Sequence, residues 1–287
     1  MQFGCIKEIP SIRNYDFNII CGASNEEIPK EYILPDDRLP KVRNQGDIGA
    51  CVAFACVEIM EVLNRIEFDT DKTFSAGFFY GYNRPENADY TGMYPELALD
   101  YFRKTGSVPT SVYDVLKEMP DMQDLVKDRE DLVEIAEKYR IKGYSTISLP
   151  HINADQVKKA VYLKGYPLLA VSNRYFGESH AIIIVGYTDN GFIIQNSWGK
   201  EWGENGRKTV PYSAINYVYV LTDEVFDMNF IDVPKDAWYY NAVKETVFNG
   251  LMKGTSTDTF EPERPITRGE MAQVLVNLCK KFDEIKR

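Results

Sequence analysis

Histidine is almost missing from this 287-residue chain: His151 and His180 are the only two, so any chemistry that needs an imidazole has two candidates. Basic residues are also few, 33 against 43 acidic, and the formal charge of −10 excludes the phosphate-neutralising surface on which nucleic-acid binding rests. The longest apolar run, residues 181–187, falls far short of the roughly 20 residues that cross a bilayer, so no transmembrane helix is expected. Residues 1–25 carry Lys7 and Arg13 but no continuous apolar block followed by small residues, so no secretory signal is visible. The five cysteines, Cys5, Cys21, Cys51, Cys56 and Cys279, contain no C-x-x-C pair, which removes the usual zinc and redox signatures; their odd number leaves one thiol unpaired. No metal and no cofactor is expected, and the acidic stretch 121–137 reads as a solvated helix.

What is present describes a folded protein: 44% apolar and 26% charged residues, with 19 Tyr and 15 Phe. The length points to a domain of roughly 200 residues with a smaller companion. Residues 1–27, interrupted by Pro10 and followed by Pro29 and Pro35, read as an extended leader. From Cys51, apolar side chains at Phe54, Val57, Ile59, Met60, Val62 and Leu63 run without Gly or Pro, which predicts a mostly buried helix starting at that cysteine. Further helices are predicted over 95–105, 121–138 and 154–164. Beyond Lys164 the chain turns β in character, with runs at 168–171, 181–187, 191–198 and 217–226 separated by turn residues such as Asp189 and Asn190. Helices first and strands later predict an α+β protein whose helical and sheet halves meet at a cleft. A break near residues 227–229 starts a separate unit. Residues 229–287 hold nine acidic and nine basic residues, so the whole net charge sits before them.

A thiol becomes a nucleophile where a cation or a helix N-terminus stabilises the thiolate. Cys51 stands at the predicted start of a helix, after the loop QGDIGA (residues 45–50), where backbone N–H groups point outward and glycine permits close approach. Of the two histidines, His151 follows Pro150 in a polar connection, a usual place for a solvated ring. His180 sits at the mouth of an apolar strand, where packing would hold it, and is the favoured base. Cys56 and Cys279 read as core thiols.

VRNQGDIGACVAFA (residues 42–55) resembles the active-site signature of papain-like (C1 family) cysteine peptidases of bacterial type, and SHAIIIVGY (179–187) with FIIQNSWGKEWGENG (192–206) resembles their second signature. His180 and Asn196 follow Cys51 by 129 and 145 residues, as the family spacing of roughly 130 to 150 requires. The resemblance covers residues 30–225 and implies the papain-like two-subdomain fold, a helical half and a sheet half around a cleft. It also implies a thiolate at Cys51 paired with an imidazolium at His180, an acyl-enzyme later hydrolysed by water, and a polypeptide substrate. Asn196 would orient the histidine, Gln45 would bind the oxyanion with the Cys51 N–H, and Trp198 would shield the Asn196–His180 bond. The segment TGMYPELAL (91–99) resembles the family's cleft lining, which makes Gly92, Met93, Tyr94 and Pro95 candidate substrate contacts. Ile48 stands where the family usually has a bridging cysteine, and Val52 where it has a tryptophan; neither change removes a catalytic group. The family's long pro-segment is replaced by residues 1–27, which are expected to lie in or near the cleft and limit access.

Residues 230–278 resemble an S-layer homology (SLH) repeat, with a helix expected over 238–248 and another after Thr267 as cap, Glu270 at the third position. The resemblance implies binding to bacterial cell-wall polysaccharide, with Asp232, Trp238 and Arg268 as candidate glycan contacts, although Trp238 also fits a core position and Arg268 a structural one. Since three repeats usually cooperate, three chains could rebuild one anchor, making a trimer an expectation. The repeat points to a bacterial cell surface or extracellular site; the missing signal leaves the cytoplasm open. Domains are thus expected at 1–27, 28–226 and 229–287. Rival readings on the same fold are a non-catalytic wall-binding protein and a thiol transpeptidase or peptidoglycan amidase.

Overall fold

The computed structural model describes residues 4–6, 27–85, 90–147, 153–222, 230–234, 236–248, 251–256 and 259–285. These fall into two compact units, one of residues 4–6 and 27–222 and the other of residues from 230 onward.

In the first unit, helix α1 (Cys51–Phe68) is buried from Cys51 through Asn64, which explains its apolar character on every side. It stops at Asp69, whose backbone turns left-handed and donates to the Arg65 carbonyl at 3.0 Å. Helix α2 (Ala76–Tyr82) starts at Ser75, whose hydroxyl accepts from Phe78 N at 3.0 Å. Helix α3 (Pro95–Lys104) has proline in its first turn and Arg103 and Lys104 in its last, agreeing with the helix dipole. The single helix expected over 121–138 is two, α4 (Asp121–Val126) and α5 (Glu130–Ala136). The break falls at Arg129, which is non-helical and whose guanidinium grips Asp131 at 2.7 and 2.6 Å. Helix α6 (Ala154–Lys164) opens on Asn153, whose side chain accepts from Asp155 N and Gln156 N, and closes on left-handed Gly165.

Among the described residues the sheet half has seven antiparallel strands: β1 (Tyr32–Ile33), β2 (Gly143–Ile147), β3 (Leu168–Ser172), β4 (His180–Thr188), β5 (Gly191–Gln195), β6 (Arg207–Val210) and β7 (Tyr217–Thr222). Their order is β2-β7-β3-β4-β5-β6, with β1 added to β4. That close addition needs Gly186, because a Cβ there would lie 2.3 Å from the Tyr32 carbonyl oxygen. Strand β5 ends at Gln195 rather than at Trp198. The chain turns there because Asn196 accepts the Ser197 N–H on its own side-chain oxygen at 2.8 Å.

The second unit packs Val233, Val243, Val247 and Phe260 around helix α7 (Tyr240–Phe248). Helix α8 (Arg268–Ile285) begins with a reciprocal capping box. Glu270 N donates to the Thr267 hydroxyl at 3.2 Å, and Thr267 N to the Glu270 carboxylate at 2.8 Å. Cys279 on α8 is exposed, not a core thiol, because the unit's core gathers around α7 and leaves this side of α8 uncovered. No helix among the described residues is long and apolar enough to cross a membrane.

Candidate active site

Cys51 is the first residue of α1 and completely buried. Ala50 before it supplies no side-chain cap, so the first amides of the helix stay available to a charge at the sulfur. From the sheet side, the Ala181 N–H points at the Cys51 sulfur at 3.5 Å. His180, the first residue of β4 and cross-strand partner of Ser172, is thereby held next to the thiol.

The His180 Nε2 lies 2.8 Å from Asn196 Oδ1. Trp198 stacks on the imidazole with centroids 4.6 Å apart and planes at 26°, and Phe176 meets it edge-on at 5.2 Å. Trp202 extends the cluster, 5.8 Å from Trp198. The rings lie around a histidine–asparagine contact whose two residues are both fully buried, and a hydrogen bond is stronger in such a low local dielectric.

Gln45 is also buried and tied to the asparagine loop. Its backbone N–H donates to Ser197 O at 2.8 Å, its Oε1 accepts from the Ser197 hydroxyl at 2.5 Å, and its Nε2 donates to Ile48 O at 2.7 Å. The side-chain amide is thus oriented with its nitrogen toward the loop that leads into Cys51.

Burial dominates the electrostatics. It pushes the Cys51 thiol up to about 11, against opposing backbone hydrogen bonds from Ala181 and Gly4, and it holds His180 down to about 4, against the Asn196 contact. Burial thus pushes each group toward its neutral form in this closed form, in the direction opposite to the thiolate and imidazolium of the family resemblance.

The cause of that burial includes the chain's own N-terminal part. Cys5 pairs with Met93 in a parallel bridge, with Met93 N donating to Gly4 O at 2.7 Å and Ile6 N to Met93 O at 2.9 Å. Gly4 fits against the loop before Cys51 only because it lacks a side chain: a Cβ would lie 1.8 Å from the Gly49 carbonyl oxygen. Of the other cleft candidates, Gly92 closely approaches Gly4 and Ile6, Tyr94 meets Tyr90 edge-on, and Pro95 is buried in the first turn of α3.

His151 lies outside the described residues, as does Cys21. In the second unit, the Asp232 carboxylate accepts from Phe260 N at 2.9 Å and Glu261 N at 2.6 Å, so it is engaged inside the fold. Trp238 is 90% exposed beside Tyr239, which excludes the core alternative, and Arg268 is exposed at the start of α8. Sequence reasoning missed Phe176 and Ser197. Ser197 adjoins Asn196 and could have been found from that position; Phe176 lies in a turn whose direction no periodicity reveals. Among the described residues no group of three metal-ligating side chains occurs.

A cysteine at a buried helix N-terminus, facing a histidine that an asparagine holds, across a helical half and an antiparallel sheet, defines a class of thiol protein. The family described as papain family cysteine protease matches residues 31–218, and the chain belongs to that family. The S-layer homology domain matches residues 229–272. Cysteine proteinase RD21A of Arabidopsis thaliana is 28% identical over 177 residues, 58% of this chain and 38% of the relative. The surface-layer 125 kDa protein of Lysinibacillus sphaericus is 49% identical over 51 residues, 18% of this chain and 4% of that one. The chain thus spans well under half the length of either. In fold, xylellain, a cysteine protease from Xylella fastidiosa, superposes with a TM-score of 0.61 at 22% identity, covering 77% of this chain and 96% of that one.

Proposed function

We propose that this chain is a cysteine endopeptidase that hydrolyses peptide bonds through an acyl-enzyme on Cys51. The observation that carries the reading is the 2.8 Å contact of His180 with Asn196, under Trp198 and beside the buried Cys51. When substrate displaces residues 4–6, His180 takes the thiol proton and the helix N-terminus supports the thiolate. Attack on the peptide carbonyl places negative charge on its oxygen, which the Cys51 N–H and the Gln45 amide receive. The imidazolium returns its proton to the leaving amine, Asn196 keeps the ring in one tautomer, and water then hydrolyses the thioester. Met93, with backbone groups that already bind a chain in the crevice, would receive the substrate beside Gly92, Tyr94 and Pro95. The test is labelling with a thiol-directed epoxide together with turnover of fluorogenic peptides. One label at Cys51, with turnover abolished in Cys51→Ala, supports the reading; an unreactive Cys51 in protein freed of residues 1–27 sinks it in favour of a binding module.

Anchoring at a bacterial cell surface is the second part of the reading, supported by the SLH match and by the exposure of Trp238. Polysaccharide would meet Trp238 and Arg268. Asp232 accepts from the Phe260 and Glu261 amides and is the third candidate contact. Met271, Leu275 and Val276 are exposed on α8, which suits a trimer that covers them. Light scattering at micromolar concentration checks this, and a strict monomer rules it out.

A further inference from the structure

Two turns along α1 from Cys51, on the same helix face, stands Glu58, about 10 Å from the nucleophile by helix geometry. It is buried to 2% exposure, and its Oε2 accepts from Gln195 Nε2 at 3.1 Å. Gln195 is the last residue of β5 and immediately precedes Asn196. Its amide cannot turn over. The same nitrogen also donates to the Pro40 carbonyl at 3.3 Å, and its oxygen accepts from Arg207 Nε at 3.0 Å. Pro40 O can only accept and the arginine can only donate, so the side-chain orientation is determined on both ends. The helix that presents Cys51 and the strand that ends just before Asn196 are therefore joined at two places. One is the Ala181 N–H to the Cys51 sulfur, beside the His180 ring that meets Asn196, and the other is Glu58 to Gln195.

A carboxyl group at a position like this is costly to bury, and its other oxygen, Oε1, finds no hydrogen-bond partner among the described residues. An apolar side chain would fill the same place at less cost. The polar contact reaches the residue next to the histidine's partner.

We propose that Glu58 is a positioning residue for Asn196: by holding Gln195 it ties the nucleophile's helix to the end of β5 and fixes where the Asn196 oxygen meets His180. This rests on Asn196 orienting the histidine, as set out above.

The test is a double-mutant cycle in the full chain, with rates normalised to Cys51 titrated by a thiol-directed epoxide. Glu58→Met should lower kcat on the order of ten-fold and leave KM within about two-fold, the pattern of a displaced catalytic group. Glu58→Gln keeps a carbonyl acceptor for Gln195 and should restore kcat. In an Asn196→Ala background, Glu58→Met should cost no further kcat, because the path through Asn196 is already cut. Equal losses in both backgrounds, or an unchanged kcat in Glu58→Met while Asn196→Ala loses activity, would overturn the proposal. If Asn196→Ala alone keeps full kcat, the orienting role fails first and Glu58's role falls with it. Should Glu58→Met not fold, Gln195→Met breaks the same link and enters the same cycle.

Discussion

Cys5 and Met93 run parallel, bridged by hydrogen bonds from Met93 N to Gly4 O and from Ile6 N to Met93 O, so a stretch of the chain itself lies against the loop of its candidate nucleophile. The strand that would hold a substrate is thus already paired, and access to Cys51 depends on releasing that pairing.

Gly4→Val should release it. The added side chain cannot coexist with the Gly49 carbonyl, 1.8 Å from a Cβ at this position, so residues 4–6 must leave the crevice. Alkylation of Cys51, followed by intact mass, is expected to speed up on the order of ten-fold or more. A rate equal to wild type would show that this segment does not gate the thiol.

The pH dependence of the same labelling reads the burial directly. In the closed chain burial holds the thiol up, so labelling should keep rising toward pH 11. Opening the crevice lets water reach the sulfur and removes the main force that raises it. The inflection is then expected to move to lower pH, by comparing iodoacetamide rates in wild type and Gly4→Val across pH 5 to about 11.

Glu58 gives a stability profile of defined sign. Burial, then repulsion from Glu61, pushes its carboxyl up to about 8, opposed by Arg43, Gln195 and Arg207. A raised carboxyl favours the folded state fully below its unfolded value of 4.5 and loses that contribution as pH climbs through about 8. Wild type should therefore lose stability relative to Glu58→Gln over that window, by about 2–4 kcal/mol in all. Parallel melting curves from pH 4.5 to 8 would refute the assignment.

In the second unit, two substitutions should separate binding from folding. Trp238→Ala removes an almost fully exposed ring and should leave the melting curve within about 0.5 kcal/mol while reducing retention on purified cell-wall polysaccharide. Asp232→Ala orphans the Phe260 and Glu261 amides and should destabilise this unit by about 1–3 kcal/mol. Loss of retention in neither variant would remove the glycan role.

Much of this was legible because the information is local. The run without Gly or Pro after Cys51 forms α1 as expected, and Thr267 with Glu270 forms its capping box, since both patterns depend on neighbours a few residues away. The apolar strands at 168–171, 181–187 and 217 onward were readable because both faces are buried. Strand β6 was not: it is an edge of the sheet, its Lys208 and Thr209 face water, and its pairing with β5 comes from the turn before it. The break at Arg129 depends on a single ion pair, and the exposure of Cys279 on how the second unit packs; neither leaves a period in the sequence. In the site, Cys51, His180 and Asn196 stood out by their spacing. Phe176 and Glu58 reach it only through tertiary packing.

The four residues from Gln195 to Trp198 each reach a different part of the protein. Gln195 grips Glu58 in α1, Asn196 meets His180, Ser197 holds Gln45, and Trp198 covers the imidazole. Successive side chains there have non-interchangeable tasks, and the turn at Asn196 sets which way each one points. A substitution in this stretch disturbs one partnership at a time, whereas inserting or deleting one residue would send every later side chain to its neighbour's partner. The length of this tetrapeptide should therefore be the least negotiable feature of the chain: a library of single-residue insertions would find Thr188–Gly191, between β4 and β5, permissive long before it found survivors four residues further on.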